Sequence, residues 1–430
     1  MKPLRAYVEI NPLVDTSGLS SDSLVSFVPM DAVDDGATGG VRLQSRALAE
    51  VQKGYTPFAE GDVLWAKITP CMQNGKSCIA RRLQNGIGFG STEFHVFRVR
   101  DSEVSVEFVW EFLSQETLRR VATFAFTGSA GHQRVSHMFL AELPFPKLSR
   151  EKQSELVGHM SAARESRRKK LQEADDLLAS LDNFVLDALG IALPNVNCYR
   201  TTYAVRAKDV RLAQTIYPDY FHPERMTTIR SVQSRYAGDP ATKLSDIADF
   251  IRDQKIVDPN DDYLGLANVQ SNTGERIAST EEDGKGNCFN YRKGDVLFAR
   301  LRPYLNKIYR AESGGVCSTE FHVIRIRADE KGRPRLIPDY LAAVLRSSIV
   351  LAQTKHMMTG NTHPRLANDD VVNLVVPVPD RTIQENIADE VARRRDTARR
   401  LRDEAARIWD EAKHQFEEEL LGPESREQAQ

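Results

Sequence analysis

Two rhythms of apolar residues alternate along this chain, and the alternation happens twice. Around residue 65 the pattern has period two: Val63, Trp65 and Lys67 interleave with Leu64, Ala66 and Ile68, and Phe94, Val96, Phe97 and Val99 follow in a β-type run. Such spacing predicts short strands. Gly86, Gly88 and Gly90, and later Gly314 and Gly315, read as turns between them. Short helices are expected at 107–123 and 338–357. Leu143-Pro144-Phe145-Pro146 and Val376-Pro377-Val378-Pro379 then force extended backbone. After each Pro-x-Pro the rhythm changes. Leu171, Ala174, Leu178, Leu181, Val185 and Ala188 step by threes and fours, as do Ala398, Leu401, Ala405, Ile408 and Ala412. That is a coiled-coil seam, and it predicts long helices over 149–190 and 381–421. Thr382 with Glu385 gives a capping-box start to the second, and Gly190 and Gly422 stand where C-terminal glycine stops belong. At about 1.5 Å per residue, each helix would run roughly 60 Å.

The repetition reaches the letters themselves. Glu60-Gly61-Asp62-Val63-Leu64-Trp65-Ala66-Lys67-Ile68-Thr69-Pro70 returns as Lys293-Gly294-Asp295-Val296-Leu297-Phe298-Ala299-Arg300-Leu301-Arg302-Pro303. Ser91-Thr92-Glu93-Phe94-His95-Val96 returns unchanged as residues 318–323. Thr127-Gly128 matches Thr359-Gly360, Arg134-Val135 matches Arg365-Leu366, and Gln153 matches Gln384, at offsets that stay between 227 and 233 residues. A repeat this long is a whole domain plus a connector. The expected plan is an α+β (mixed α/β) fold: two duplicated domains of short-strand sheets at 1–148 and 199–380. Long helices at 149–190 and 381–421 join them as an antiparallel pair in a pseudo-two-fold arrangement, and 422–430 is a flexible tail.

Composition narrows the function. The chain has 430 residues, 41% of them apolar and 27% charged, with a net charge of −2. It carries no membrane-length apolar run, and Met1 to Glu9 lacks the apolar core expected of a secretory signal. Its five cysteines are scattered without a CxxC pair, so a reduced, metal-free, cytoplasmic protein is expected. No region is strongly basic; residues 199–380 hold 26 basic and 23 acidic side chains. A nucleic-acid reader of this composition must concentrate positive charge on small faces or borrow it from a partner. The adenine-N6 methyltransferase tetrapeptide, a phosphate-binding loop, HExxH and GxSxG are all missing.

The Gly-Asp-Val-Leu-Phe-Ala-Arg-Leu-Arg-Pro run at 294–303 with its partner at 61–70, the paired Ser-Thr-Glu-Phe-His motifs, the Thr-Gly loops and the Pro-x-Pro segments leading into helices with Gln153 and Gln384 together resemble the specificity (S) subunit of type I restriction–modification systems. Val25-Ser26-Phe27-Val28-Pro29-Met30 resembles a segment common near the start of such domains. The resemblance implies two target-recognition domains, each reading half of a split sequence on double-stranded DNA, with the helices as a spacer. It implies docking of two copies of an adenine-N6 methyltransferase subunit, which would carry the S-adenosylmethionine. ATP-dependent translocase–nuclease subunits would join in restriction assemblies. The chain itself would bind no cofactor and catalyse nothing. Because residues 1–59 and 199–292 share little sequence, the implied target is asymmetric. Alternatives are a recognition subunit of a related phage-defence or modification system without the nuclease, a nucleic-acid-modifying enzyme in its own right, and a plain coiled-coil scaffold.

Candidate DNA contacts follow from side-chain chemistry. Lys67, Arg300 and Arg302 lie at the end of the repeated strand; Gln73, Asn74 and Lys76, and Asn306 and Lys307, lie in the turns beyond it. Arg and Lys grip guanine edges, Asn and Gln grip adenine, and all of them bind phosphate. The Thr-Gly loops add His132, Gln133 and Arg134, and His363 and Arg365. His95 and His322, two residues from Glu93 and Glu320 on the same strand face, fit a structural hydrogen bond better than acid–base catalysis.

Overall fold

The computed structural model describes residues 1–128, 132–193, 202–213, 215–236, 242–278, 286–330, 332–360 and 363–421. The expected tail at 422–430, Gly422, Ser129 to Gly131 in the first Thr-Gly loop and Asn361 and Thr362 in the second lie outside them. The chain divides into two compact units: residues 1–172 with 401–430, and residues 173–400. Each long helix is therefore shared by residue number, half to each unit.

The first unit holds two four-stranded sheets. In one, the repeated strand Val63–Ala66 lies between Phe94–Val99 and Ser77–Ile79, with Val8–Ile10 at the far edge, all antiparallel. Both faces of the repeated strand are covered: all four residues are buried. Val63 and Trp65 join a core with Phe97, Phe108 and Phe145, while Leu64 joins another with Phe58, Phe94 and Val96. The period of two thus sorts residues between two cores.

The second unit repeats this sheet strand for strand: Ala248–Ile251, Phe321–Ile326, Val296–Ala299 and Ile308–Arg310. Val296 and Phe298 face one core, Leu297 and Ala299 the other. The other sheets share only their centres. In the first unit Leu24–Val28 pairs parallel with Ile87–Gly90, which pairs antiparallel with Thr56–Ala59. In the second unit Tyr263–Leu264, Gly315–Ser318 and Asn287–Tyr291 do the same. The fourth strand is added at opposite edges: Gln44–Ala47 beside Leu24–Val28, but Gln254–Ile256 beside Asn287–Tyr291. Gly88, Gly90 and Gly315, expected in turns, lie in strands. A Cβ on Gly88 would sit 2.2 Å from the Phe58 ring, so the glycine is required by close packing.

The helices keep the expected positions with informative breaks. The segment 107–123 is two helices, Val106–Ser114 and Glu116–Thr123, because Gln115 is extended; Ser347 likewise divides Pro338–Arg346 from Ser348–Thr354. The first long helix runs Arg150–Ala179 and resumes as Leu181–Leu189, closed by Gly190 in the left-handed conformation. At the break Arg394 donates to both the Ser180 carbonyl and its hydroxyl (2.7 Å to Oγ), and Ser180 Oγ donates to the Leu177 carbonyl. Competition of this kind bends helices. The second long helix is Arg381–Leu421. Its first turn closes on the Asp380 carbonyl, one turn-start earlier than a Thr382 cap would allow, and Glu385 accepts from Arg381 instead of capping.

Within the first unit the two helices run antiparallel, as Lys152–Glu419 and Lys170–Glu404 ion pairs demand. Arg164 pins them to the sheet domain. Its guanidinium lies 4.6 Å from the Trp110 ring and 5.1 Å from that of Trp409, and it bonds both Glu111 oxygens at 3.0 Å. In the second unit Arg394 stacks 4.7 Å from the Phe184 ring. The seam residues of both helices are buried or half-buried. The repeated glutamines tie each helix start to a domain. Gln153 accepts from the Ser105 amide and donates to Glu103 and Leu148 carbonyls; Gln384 accepts from the Ile337 amide and donates to the Pro379 carbonyl.

Candidate nucleic-acid interface

In each unit the repeated motifs meet at one place, the end of the repeated strand. Ile68 bridges Arg134, the Val135 amide donates to the Lys67 carbonyl and the Thr69 amide to the Gln133 carbonyl. In the second unit Leu301 bridges Arg365 and the Leu366 amide donates to the Arg300 carbonyl. The Thr-Gly loop is therefore a flap laced to the strand end. Gly128 and Gly360 turn it with φ of +109° and +94°, backbone that an L side chain avoids.

The glutamate of each Ser-Thr-Glu-Phe-His motif clasps the arginine of the flap. Arg134 donates to both Glu93 oxygens (2.8 and 2.7 Å), and Arg365 to Glu320 (2.9 Å at the shortest). Both arginines remain more than two-fifths exposed. The Arg134 hydrogen bonds hold the Glu93 carboxyl below its ordinary range. A second cation shares each carboxylate's field: Lys67 beside Glu93, and Arg300 at 4.0 Å from Glu320. Positive charge exceeds negative at both junctions, in a chain that is almost neutral overall. Sequence reasoning considered these glutamates only beside the histidines; the usable signal was a Glu and an Arg recurring together in both repeats.

The histidines serve the framework. His95 Nε2 lies 2.9 Å from the Val135 carbonyl, and burial lowers its pKa to about 4. His322 is equally buried and lowered to about 4, and its Nε2 has no hydrogen-bond partner among the described residues. Neither is placed to move protons at the surface.

Three candidates are tied to backbone carbonyls. Lys76 Nζ donates to the Met30 carbonyl (3.1 Å) and Lys307 Nζ to the Leu266 carbonyl (2.8 Å), the same bond in both units. Asn306 is 5% exposed and donates to the Arg346 carbonyl. These three fasten turns, which their sequence position could not reveal because each partner lies some 40 residues away. Gln73, Asn74, His132, His363 and Arg302 are exposed, and Gln133 is half-buried. Among the described residues no side-chain hydrogen bond or ion pair engages Gln73, Asn74 or Arg302. Arg302 adopts φ 48° and ψ 58°, and its amide donates to the Pro364 carbonyl of the flap (2.7 Å).

Away from these junctions, His222, Glu224 and His356 bring ligand-type atoms within 4.8 Å of one another. Their side chains already engage one another and a neighbouring lysine. Glu224 takes His356 Nε2 at 2.7 Å and Lys355 at 2.6 Å, His222 Nδ1 accepts the Glu224 amide, and the imidazoles stack at 3.4 Å. Parallel rings do not aim their lone pairs at one ion, and an adjacent ammonium opposes one. Among the described residues no helix is long and apolar enough to cross a membrane.

No family model matches the chain. It is 35% identical over 152 residues to the type I restriction enzyme EcoEI specificity subunit of Escherichia coli, covering 35% of this chain and 25% of that protein. It is also 35% identical over 150 residues to the EcoAI specificity subunit of the same organism, covering 34% and 25%. The chain thus spans about a quarter of the length of the curated relatives it matches. A chain from a solved structure described as the structural basis underlying complex assembly and conformational transition of the type I R-M system shares the fold across 92% of this chain and 90% of that one, with a TM-score of 0.54 at 14% identity. The resemblance read from the repeated motifs therefore stands: the proteins this chain is similar to are type I specificity subunits.

Proposed function

We propose that this chain is the sequence-reading subunit of a type I restriction–modification assembly. It reads a bipartite, asymmetric target on double-stranded DNA and directs an adenine-N6 methyltransferase to it in the cytoplasm. Two copies of the methyltransferase subunit dock on it and carry the S-adenosylmethionine; translocase–nuclease subunits join where the system restricts. The chain supplies no catalytic group. One observation carries the reading: the same cation-rich strand-end junction is built twice, each time laced to a glycine flap, beside sheets that differ at their edges. Duplex DNA contacted at two half-sites suits a duplicated reader, and phosphate affinity suits local rather than global positive charge. Within the proposal Lys67, Arg134, Arg300, Arg365, Gln133, His132 and His363 line the phosphate-facing junctions, and Gln73, Asn74 and Arg302 reach outward from the turns.

The test is genetic and enzymatic. Methylated adenines mapped across the host genome fall in a split motif, and deleting the gene abolishes that motif's methylation. The purified chain transfers no methyl group from S-adenosylmethionine until the methyltransferase partner is added. Survival of every methylated motif after deletion would refute the proposal, and nuclease or methyl transfer by the chain alone would favour an enzyme.

A further inference from the structure

Resting on that proposed function, we infer that Arg302 is a guanine-reading residue of the second unit and that the first unit has no counterpart to it. Of the three arginines at the second junction, Arg300 and Arg365 face Glu320. Arg302 is the exposed one whose guanidinium no side-chain partner claims among the described residues. Bidentate recognition of guanine O6 and N7 takes two parallel N–H donors, and a planar guanidinium fork with no side-chain partner can supply them.

The backbone beneath it is fixed rather than loose. Arg302 and Asn306 both hold left-handed conformations (φ 48° and 51°) and bracket the turn Pro303–Leu305. The buried Asn306 side chain anchors the far end to the Arg346 carbonyl, and the Arg302 amide anchors the near end to the flap. A left-handed backbone at a residue other than glycine is disfavoured and persists where surroundings impose it, often at functional sites. Tyr304, 54% exposed on the same turn, offers a hydroxyl to an adjoining phosphate.

The equivalent turn in the first unit carries different chemistry. From Thr69 to Gly75 it has no cation, and it exposes Gln73 and Asn74, amides suited to adenine. The two turns therefore make the half-sites unlike.

Glycine accepts φ 48° without strain, so Arg302→Gly removes the guanidinium while favouring the fold. The full chain in complex with its methyltransferase partner is used to select binding sites from duplexes with a random central stretch. The wild type selects a split motif. Arg302→Gly keeps its melting temperature and loses preference for one guanine, in one half only, by about 5- to 150-fold. Arg302→Asn, a residue that also tolerates the left-handed backbone but suits adenine rather than guanine, keeps the fold and loses the same preference. Retention of every guanine by both variants overturns the inference, as does equal weakening on all sequences, which would make Arg302 a phosphate contact. If Arg302→Gly melts early, the asparagine variant decides by the same criterion. Should the wild type select no split motif, the recognition reading itself fails and takes this inference with it.

Discussion

At the scale of residues, the repeated motifs are mostly fastenings. Asp62 of the Gly-Asp pair is 1% exposed and takes Arg98 through both oxygens (2.8 and 2.7 Å) and the Ala59 amide; Asp295 does the same with Arg325 and the Arg292 amide. Removing one partner of a buried pair leaves a desolvated charge behind. Arg98→Ala is therefore expected to cost about 3 kcal/mol or more, read as a lowered urea midpoint. The histidines give a pH dependence. Unfolded histidine titrates near 6.5, whereas His95 and His322 in the fold do so at about 4. Between those values the unfolded chain binds more protons, so stability falls as pH drops from 6.5 toward 4. Replacing His322 with Leu should flatten that fall in a series of melting curves; an unchanged slope would contradict its buried neutral state. The sequence showed which letters recur but not which of them grip each other. Lys76 and Lys307 looked like DNA contacts because a lysine in a turn is chemically open, and only the fold reveals the carbonyl each one meets.

At the scale of elements, the joints between helix and sheet govern order. The Gln153 and Gln384 side chains each accept the backbone amide of the residue immediately preceding a short helix, at Val106–Ser114 and Pro338–Arg346. Truncating either to Ala leaves that amide and one or more carbonyls buried without partners, at about 1–3 kcal/mol. Hydrogen exchange should then quicken at Ser105 or Ile337 respectively, in the mutated unit only. Long-range periodicity made the two long helices legible from the sequence, since a seam of threes and fours extends over many turns. The breaks at Gln115, Ser180 and Ser347 were not legible, because they depend on tertiary packing and, at Ser180, on an arginine from another helix. The fourth strands at 44–47 and 254–256 escaped notice for a related reason: edge strands are short, and their residues are largely exposed.

At the scale of the whole molecule, the duplication was fully readable and carried the functional reading with it. The proposed spacer role of the long helices has a measurable consequence. Four residues added to each would keep the seam close to one face, since four is near one turn, and lengthen each by about 6 Å. That is close to two base pairs of duplex at 3.4 Å each. The tolerated gap in the methylated motif should grow by about that much while both half-sites stay the same; an unaltered gap would refute the role. The three-strand centre common to the second sheets separates what the two halves share from what they do not. Glu–Arg clasps, glycine flaps and glutamine ties are all built into parts the two halves share, whereas the added strand sits on whichever margin is available. On the proposed function, the unlike turns after the repeated strands can therefore diverge while the fastenings beneath them stay fixed.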